Sequence, residues 1–97
     1  MFTLSRSWHD ASWLYEQLGF ASAGDTVLLM QDGVLALQSN ISLASFLAKC
    51  VSSEVRVAAL ANDCQLRGIE NQYPAIELID YPGFVDLVCS HDKQVAW

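Results

Sequence analysis

Apolar segments with the length of β-strands alternate along this chain with segments of helical periodicity. Residues 25–30 end in a continuous apolar run, and the absence of polar alternation predicts a strand that is covered on both faces. Similar segments at residues 54–61 and 75–79 predict two more strands. We also expect short strands at the two ends of the chain, residues 2–4 and 95–97.

Helical patterns occupy the intervals between these strands. An approximate capping box at Ser7 predicts a first helix over residues 7–18, and a second helix is predicted to begin at Ser42. The Asn62-Asp63 pair is expected to cap a short helical turn, and Asp80 is expected to cap the last helix. The apolar stripe of the second helix consists of Leu43, Phe46, Leu47 and Cys50.

Strand and helix alternate over the whole chain, which constrains its architecture. Parallel strands need long crossover connections, so this order predicts a mainly parallel sheet with helices on both faces. The chain has no linker, no repeat at a fixed period and no low-complexity tract. We therefore predict one three-layer α/β/α domain that spans residues 1–97.

Composition excludes several classes of protein. Hydrophobic residues make up 53% of the chain and charged residues 16%, which excludes a disordered acidic tail and suggests apolar surface reserved for partners. The formal net charge is −6, whereas counterion release from nucleic acid requires clustered cations. We expect no direct nucleic-acid binding, because the few cations are scattered: Arg6, Lys49, Arg56, Arg67 and Lys93.

The chain shows no feature of secretion or membrane insertion. Its first residues lack the apolar core and cleavage site of a signal peptide, and no apolar run approaches the roughly 20 residues that span a bilayer. Its three cysteines are odd in number and widely spaced, which argues against a disulfide framework. We therefore expect a cytoplasmic protein.

Carboxylates follow the predicted strands at the edge where open α/β sheets bind ligands. Asp32, Asp63 and Asp80 stand at these strand ends, with Gly33 and Tyr81 beside them. The carboxylates either line the pocket of a stand-alone small-ligand domain or cap helices and shape turns. We favour the second interpretation, because turn chemistry explains each carboxylate without a ligand.

Cys64 is the candidate nucleophile. Its expected place in the first turn of a helix favours the thiolate, whereas the adjacent Asp63 opposes it. No histidine or second cysteine is close in sequence to act as a base or as a resolving thiol. Cys50 and Cys89 fall on apolar helix faces, and the chain offers no four-ligand zinc set. The residues alone therefore predict no catalytic activity, no metal and no cofactor.

Several segments resemble the TusB/DsrH family. Residues 25–33, Asp-Thr-Val-Leu-Leu-Met-Gln-Asp-Gly, are similar to the family's apolar strand closed by an acidic-Gly turn. Arg67-Gly68 and residues 79–87, Ile-Asp-Tyr-Pro-Gly-Phe-Val-Asp-Leu, are similar to its second and third blocks. Residues 94–97, Gln-Val-Ala-Trp, are similar to its closing Gln-x-Ala-Trp. The resemblance covers the whole chain, and the third block and the terminal tryptophan are its most specific parts.

The resemblance implies a fold, a function and a set of partners. The fold is a three-layer α/β/α domain with a five-stranded, mainly parallel sheet. The function is that of a non-catalytic subunit in a heterohexamer with paralogous TusC-like and TusD-like subunits. That complex receives persulfide sulfur from a TusA-like carrier and passes it to a TusE-like carrier, towards 2-thiouridine at the tRNA wobble position. Interface or strand-end roles are expected for Asp32, Gly33, Asp80, Tyr81, Phe84 and Trp97.

Two departures from the family patterns bear on catalysis. The catalytic paralogue carries a cysteine directly after the third strand, where this chain has residues 60–62 and places Cys64 about one helical turn later. Some DsrH-type members carry a cysteine in the first helix, where this chain has Glu-Gln-Leu at residues 16–18. Both losses favour a TusB-like assembly subunit. The alternatives are a DsrH-like subunit of a sulfur-oxidation complex and a sulfurtransferase subunit that carries persulfide on Cys64.

A large aromatic residue, Trp97, ends the chain. Chain termini are usually frayed and polar, so a terminal tryptophan predicts a docked tail. The indole either anchors a subunit interface, which we favour, or folds back onto its own domain beside the first strand.

Overall fold

The structure is a computed structural model that describes residues 1–5, 19, 21–38, 41–91 and 93–97, with the backbone alone at positions 41 and 42. The helix predicted over residues 7–18 lies outside these described residues. The described elements are β1 (Phe2–Leu4), β2 (Thr26–Leu29), a 3-10 helix (Gln31–Leu37), α1 (Ile41–Ser52), β3 (Arg56–Leu60), α2 (Ala61–Leu66), β4 (Ile76–Ile79), α3 (Tyr81–Ser90) and β5 (Val95–Ala96).

The strands form one five-stranded sheet in the order β4-β3-β2-β1-β5. Every neighbouring pair is parallel, with Phe2 opposite both Val27 and Val95, and Val57 opposite Ile76. The predicted α/β class and five-stranded sheet are confirmed, and the sheet is parallel throughout rather than mainly parallel. Parallel order follows from the crossover segments, which return the chain to the same end of the sheet before each new strand.

The sheet has two apolar faces, because successive side chains of a strand point to opposite sides. The first face, which includes Leu4, Val27 and Val57, packs against α1 and the 3-10 helix. The second face, which includes Leu28 and Ala58, packs against α3. Fully burying one such aliphatic or aromatic side chain contributes roughly 1.5–3 kcal/mol. The predicted α1 stripe of Leu43, Phe46, Leu47 and Cys50 is buried in the first of these layers.

The centre of the sheet explains the apolar run at residues 25–30. All four residues of β2 are buried, with Val27 and Leu29 on the first face and Thr26 and Leu28 on the second. The hydroxyl of Thr26 lies 3.1 Å from the His91 Nε2 atom, so the one polar residue of this strand has a partner. A strand covered on both faces needs no polar alternation, which is the pattern that the sequence shows.

Helix boundaries differ from the predicted ones in two places. The helix α2 begins at Ala61, with Leu60 as its N-cap and no side-chain capping hydrogen bond, so Asn62-Asp63 is not the cap. Residues 31–33, expected to be a turn, instead begin the 3-10 helix. The predicted cap of α3 is confirmed, because the Asp80 carboxylate accepts a hydrogen bond of 2.9 Å from the Gly83 N–H. In the described part of the chain, no helix is both long and apolar enough to cross a membrane.

Candidate functional site

A hydrogen bond joins the segments that follow the carboxyl ends of β2 and β3. Gln31 follows β2 with a φ of 50°, a left-handed conformation that costs a non-glycine residue roughly 1–2 kcal/mol. Its N–H donates a hydrogen bond of 2.6 Å to the Asp63 Oδ2 atom of α2. The Asp63 side chain is buried, and the hydrogen bond both satisfies the carboxylate and stabilises the unusual backbone of Gln31.

Arg67 joins two of the predicted strand-end carboxylates. Its Nη2 atom lies 3.0 Å from Asp32 Oδ1, and its Nη1 atom lies 3.7 Å from Asp63 Oδ1. Arg67 Nη1 also donates a hydrogen bond of 3.3 Å to the carbonyl oxygen of Asp63. We call Gln31, Asp32, Asp63 and Arg67 the strand-end cluster. The Asp32 and Asp63 carboxylates bond to Arg67, and Asp63 also accepts from a backbone N–H. Both carboxylates therefore have partners within the protein, and their presence requires no ligand.

Asp80 is engaged separately at the end of β4, where it caps α3. The structure thus brings Asp32 and Asp63 together and gives Asp80 a local capping role. A groove of about 670 Å³ runs between the end of the 3-10 helix and residues 68–72, and neither Asp32 nor Asp80 lines it. Within the described residues, no group of three or more His, Cys, Asp or Glu side chains is placed to hold a metal ion.

Gly33 sits where a side chain has no room. A Cβ atom at this position would lie 2.0 Å from the carbonyl oxygen and 2.8 Å from the carbonyl carbon of Leu4 in β1. The same Leu4 oxygen accepts a hydrogen bond of 3.0 Å from the Met30 N–H, which fixes the approach of the two segments. The glycine of the Asp32-Gly33 pair is therefore required by close backbone packing.

Cys64 is a core residue, only 2% exposed, in the first apolar layer. Burial raises the pKa of its thiol, the neighbouring Asp63 carboxylate raises it further, and Arg67 lowers it. Burial also raises the pKa of the Cys50 thiol from its ordinary 9.0 to about 12. Cys89 is exposed on α3. A thiol that is buried and held in its protonated form is a poor nucleophile, because the thiolate is the reactive species.

Tyr81 and Phe84 lie on the first turn of α3 but in different environments. Tyr81 is 54% exposed, whereas Phe84 is partly buried against the second apolar layer beside Leu87 and Ile79. Of these two predicted interface residues, Tyr81 has an accessible side chain, whereas Phe84 fixes the helix on the sheet.

Trp97 folds back beside the first strand. Its ring stacks on Phe2 with centroids 4.6 Å apart and an interplanar angle of 27°, and it is partly buried against the first apolar layer. The backbone N–H of Trp97 donates a hydrogen bond of 2.8 Å to the carbonyl oxygen of Thr3, and the backbone N–H of Val95 donates one of 2.9 Å to the carbonyl oxygen of Met1. The structure therefore places the Trp97 indole against the chain's own first strand, which is the second of the two placements given above.

Replacing Trp97 by alanine is expected to lower the free energy of unfolding of the isolated chain by about 2 kcal/mol. The loss is smaller than the roughly 3–5 kcal/mol of a fully buried aromatic residue, because the ring is only partly covered. Urea unfolding measures the loss, and Val95→Ala in the adjoining strand β5, where the valine is 46% exposed, is a control that costs about 0.5 kcal/mol or less. Equal stability of the two variants would contradict the stacking on Phe2.

Sequence reasoning missed two members of the strand-end cluster. The left-handed Gln31 has no local signature, since glutamine is not a typical residue of that conformation. The sequence shows Arg67 as one of the scattered cations and as part of the Arg67-Gly68 pair, but it does not indicate that Arg67 links carboxylates from two different strand ends. Both roles depend on contacts between segments that are distant in sequence.

Comparison with known proteins gives consistent matches over almost the whole chain. The family described as "DsrH like protein" matches residues 7–94. "Protein TusB" of Cronobacter sakazakii is 37% identical over 98 residues, which cover 100% of this chain and 99% of the relative. "Protein TusB" of Escherichia coli K12 is 37% identical over 93 residues, covering 92% and 95%. The solution NMR structure of protein Tm0979 from Thermotoga maritima is similar with a TM-score of 0.60 and 25% identity, covering 96% of this chain and 97% of that one.

Proposed function

The chain belongs to the TusB/DsrH family, and on that premise we propose that it is a non-catalytic subunit of a TusBCD-like sulfur-relay complex. Its partners are TusC-like and TusD-like paralogues in a heterohexamer in the cytoplasm. The complex takes persulfide sulfur from a TusA-like carrier and delivers it to a TusE-like carrier. The sulfur is used to form 2-thiouridine at the tRNA wobble position, and this chain makes no direct contact with the tRNA.

The burial of Cys64 is the observation that supports a non-catalytic role for this chain. A persulfide carrier must present a thiolate to the incoming donor and then expose the terminal sulfur to the next acceptor. Cys64 is almost fully covered, and burial raises the pKa of its thiol. Cys50 is fully covered and its pKa is raised to about 12. Neither thiol can meet a macromolecular sulfur carrier without local unfolding.

Cys89 is accessible but poorly placed for sulfur chemistry. It lies in the last turn of α3, near the amino ends of the strands and away from their carboxyl ends, where open α/β sheets bind ligands. No lysine or arginine stands in that turn. The three thiols of this chain therefore support a role in which the sulfur is carried by another subunit.

The residues predicted for subunit interfaces can contact a partner directly only where their side chains are accessible. Asp32 and Tyr81 expose more than half of their side chains, and Asp80 is exposed at the start of α3. We propose that these three residues contact other subunits. Gly33 and Phe84 act indirectly, by holding the 3-10 helix and α3 in place, and Trp97 fixes the edge strand β5.

Co-expression with the TusC-like and TusD-like subunits of the same genome tests the proposal. We expect one species that contains all three chains, whereas this chain alone self-associates through its exposed apolar residues. Size-exclusion chromatography with light scattering measures the masses, and omission of one paralogue at a time is the control. A stable monomer that ignores both paralogues would contradict an assembly role.

A DsrH-like place in a sulfur-oxidation complex is the second candidate, because the matching family is described by the DsrH name. The two candidates share the assembly role and differ in the destination of the sulfur. Deletion of the gene followed by measurement of 2-thiouridine in tRNA separates them. Loss of the modified base supports tRNA thiolation, and an unchanged level supports sulfur oxidation.

A further inference from the structure

The second face of the sheet extends beyond the one described helix that packs on it. Among the described elements, α3 is the helix that packs on this face, through Phe84, Leu87 and Val88. One helix is about 10 Å wide, whereas five strands at about 4.8 Å spacing extend over roughly 19 Å. Towards the β1–β5 edge the same face carries Thr3, which is half-buried, and Ala96, which is exposed. Apolar and small side chains therefore remain accessible beside α3.

A row of exposed side chains runs along α3. Tyr81, Val85 and Cys89 are spaced four residues apart, so they lie above one another on one side of the helix. Tyr81 is 54% exposed, Val85 is 55% exposed, and Cys89 is also exposed. We call these three residues the α3 stripe. The stripe adjoins the core-facing Phe84 and Val88, which makes the apolar side of α3 wider than its own sheet covers.

The charged side chains of α3 and of its N-cap are aspartates. Asp80 and Asp86 are exposed on α3, and the helix contains no lysine or arginine. Arg56 lines the groove beside Asp86 but is already paired with Glu77. Arg67 is paired with Asp32. A second copy of this chain would bring aspartates against aspartates, so self-association through this surface should be weaker than binding to a partner of opposite charge. A partner with lysine or arginine beside an apolar contact would complement it.

We propose that the α3 stripe is a docking surface for an apolar helix of a paralogous subunit, flanked by lysine or arginine side chains that pair with Asp80 and Asp86. This inference rests on the proposed function, which supplies the paralogous subunits. Tyr81, Val85 and Cys89 make the apolar contact, and the partner surface must be apolar with positive charges beside it.

Two matched substitutions test the surface. Val85→Glu on the α3 stripe is compared with Val51→Glu on α1, where the valine is 65% exposed. Binding is titrated against the purified TusC-like and TusD-like subunits of the same genome. We expect Val85→Glu to weaken binding by at least about 30-fold and Val51→Glu by about 3-fold or less, since a charge is tolerated poorly only inside an interface. The melting temperatures of both variants should stay within a few degrees of the unmodified chain.

The charge of the occupant is tested by Asp86→Lys, with Glu70→Lys as an exposed control of equal charge change. We expect Asp86→Lys to weaken binding by roughly tenfold at low salt and to reduce the salt dependence of binding. Unaltered binding and salt dependence would overturn the basic flank. A chain that forms a dimer by itself, and that Val85→Glu converts to a monomer, would show that the occupant is a second copy.

Cys89 provides a footprint that requires no substitution on the stripe. In the folded chain Cys50 and Cys64 are buried, so iodoacetamide reports on Cys89. We expect the paralogous subunits to slow alkylation of Cys89 by at least about tenfold, because an interface excludes the reagent. If the subunits assemble but Cys89 is not protected and Val85→Glu has no effect, the docking surface is overturned and the proposed function is not. Absence of assembly by the unmodified chain would overturn the proposed function together with this occupant.

Discussion

Replacing Gly33 by alanine is expected to lower the free energy of unfolding by about 3 kcal/mol. The added methyl group would overlap the carbonyl oxygen of Leu4, at 2.0 Å, and backbone atoms cannot rotate away as a flexible side chain can. Either β1 or the 3-10 helix must shift, and the Met30–Leu4 hydrogen bond that joins them is then distorted. Urea unfolding of the isolated chain measures the loss.

Gly68→Ala is the matched control for Gly33→Ala. Gly68 has a φ of +63° and no atoms within 4 Å of the added methyl group, so its substitution introduces backbone strain without a clash. The strain alone should cost roughly 1 kcal/mol. If the two glycine variants were equally stable, close packing of Gly33 on Leu4 would not be the reason for the glycine.

Alkylation at pH 8 is expected to be about 1,000-fold or more slower at Cys50 than at Cys89, and slower at Cys64 than at Cys89. Burial raises the pKa of Cys50 from 9.0 to about 12, which alone reduces its thiolate fraction at pH 8 by about 1,000-fold. Burial also raises the pKa of Cys64, and both side chains are shielded from the reagent. Cys89 is exposed and should therefore react fastest of the three.

Mass spectrometry of the alkylated peptides measures these rates, and reaction in urea is the control, since unfolding should remove the difference. The raised pKa values of Cys50 and Cys64 also affect stability. The unfolded chain releases these thiol protons more readily, so the free energy of unfolding should fall as pH rises above about 9. Alkylation of Cys64 as fast as Cys89 in the folded chain would contradict its burial.

The parts of the fold that follow from local pattern could be predicted from the sequence. The apolar run at residues 25–30 is buried on both faces, and the α1 stripe packs on the sheet, because burial depends directly on side-chain polarity and periodicity. The capping of α3 by Asp80 is also local, since the carboxylate bonds to an N–H three residues later.

The remaining features depend on contacts between distant segments. Asp63 was expected to cap α2, yet its carboxylate accepts a hydrogen bond from Gln31, which is 32 residues away in sequence. Gly33 was expected to serve a turn, but its φ lies outside the left-handed region and its role is to approach Leu4 closely. The residue types at these positions can be read from the sequence, but the contacts they make depend on the order of the strands in the sheet.

The same reason explains Trp97. The sequence predicted a docked tail but left two placements open, an interface or the chain's own first strand. The choice depends on β5 pairing with β1 at the edge of the sheet, which brings Trp97 onto Phe2. No local pattern near the end of the chain encodes that pairing, since the two strands are separated by nearly the whole sequence.

Locating sulfur during turnover tests the central claim most directly. The complex is reconstituted from this chain and its TusC-like and TusD-like partners, supplied with a persulfide-loaded TusA-like donor and a TusE-like acceptor, and quenched by alkylation. The peptides that contain Cys50, Cys64 and Cys89 are then weighed by mass spectrometry. We predict no added sulfur on these three residues while the cysteine of the TusD-like subunit gains one sulfur atom. Sulfur on Cys64, together with loss of transfer in a Cys64→Ser complex, would contradict the assembly role and identify this chain as a sulfur carrier.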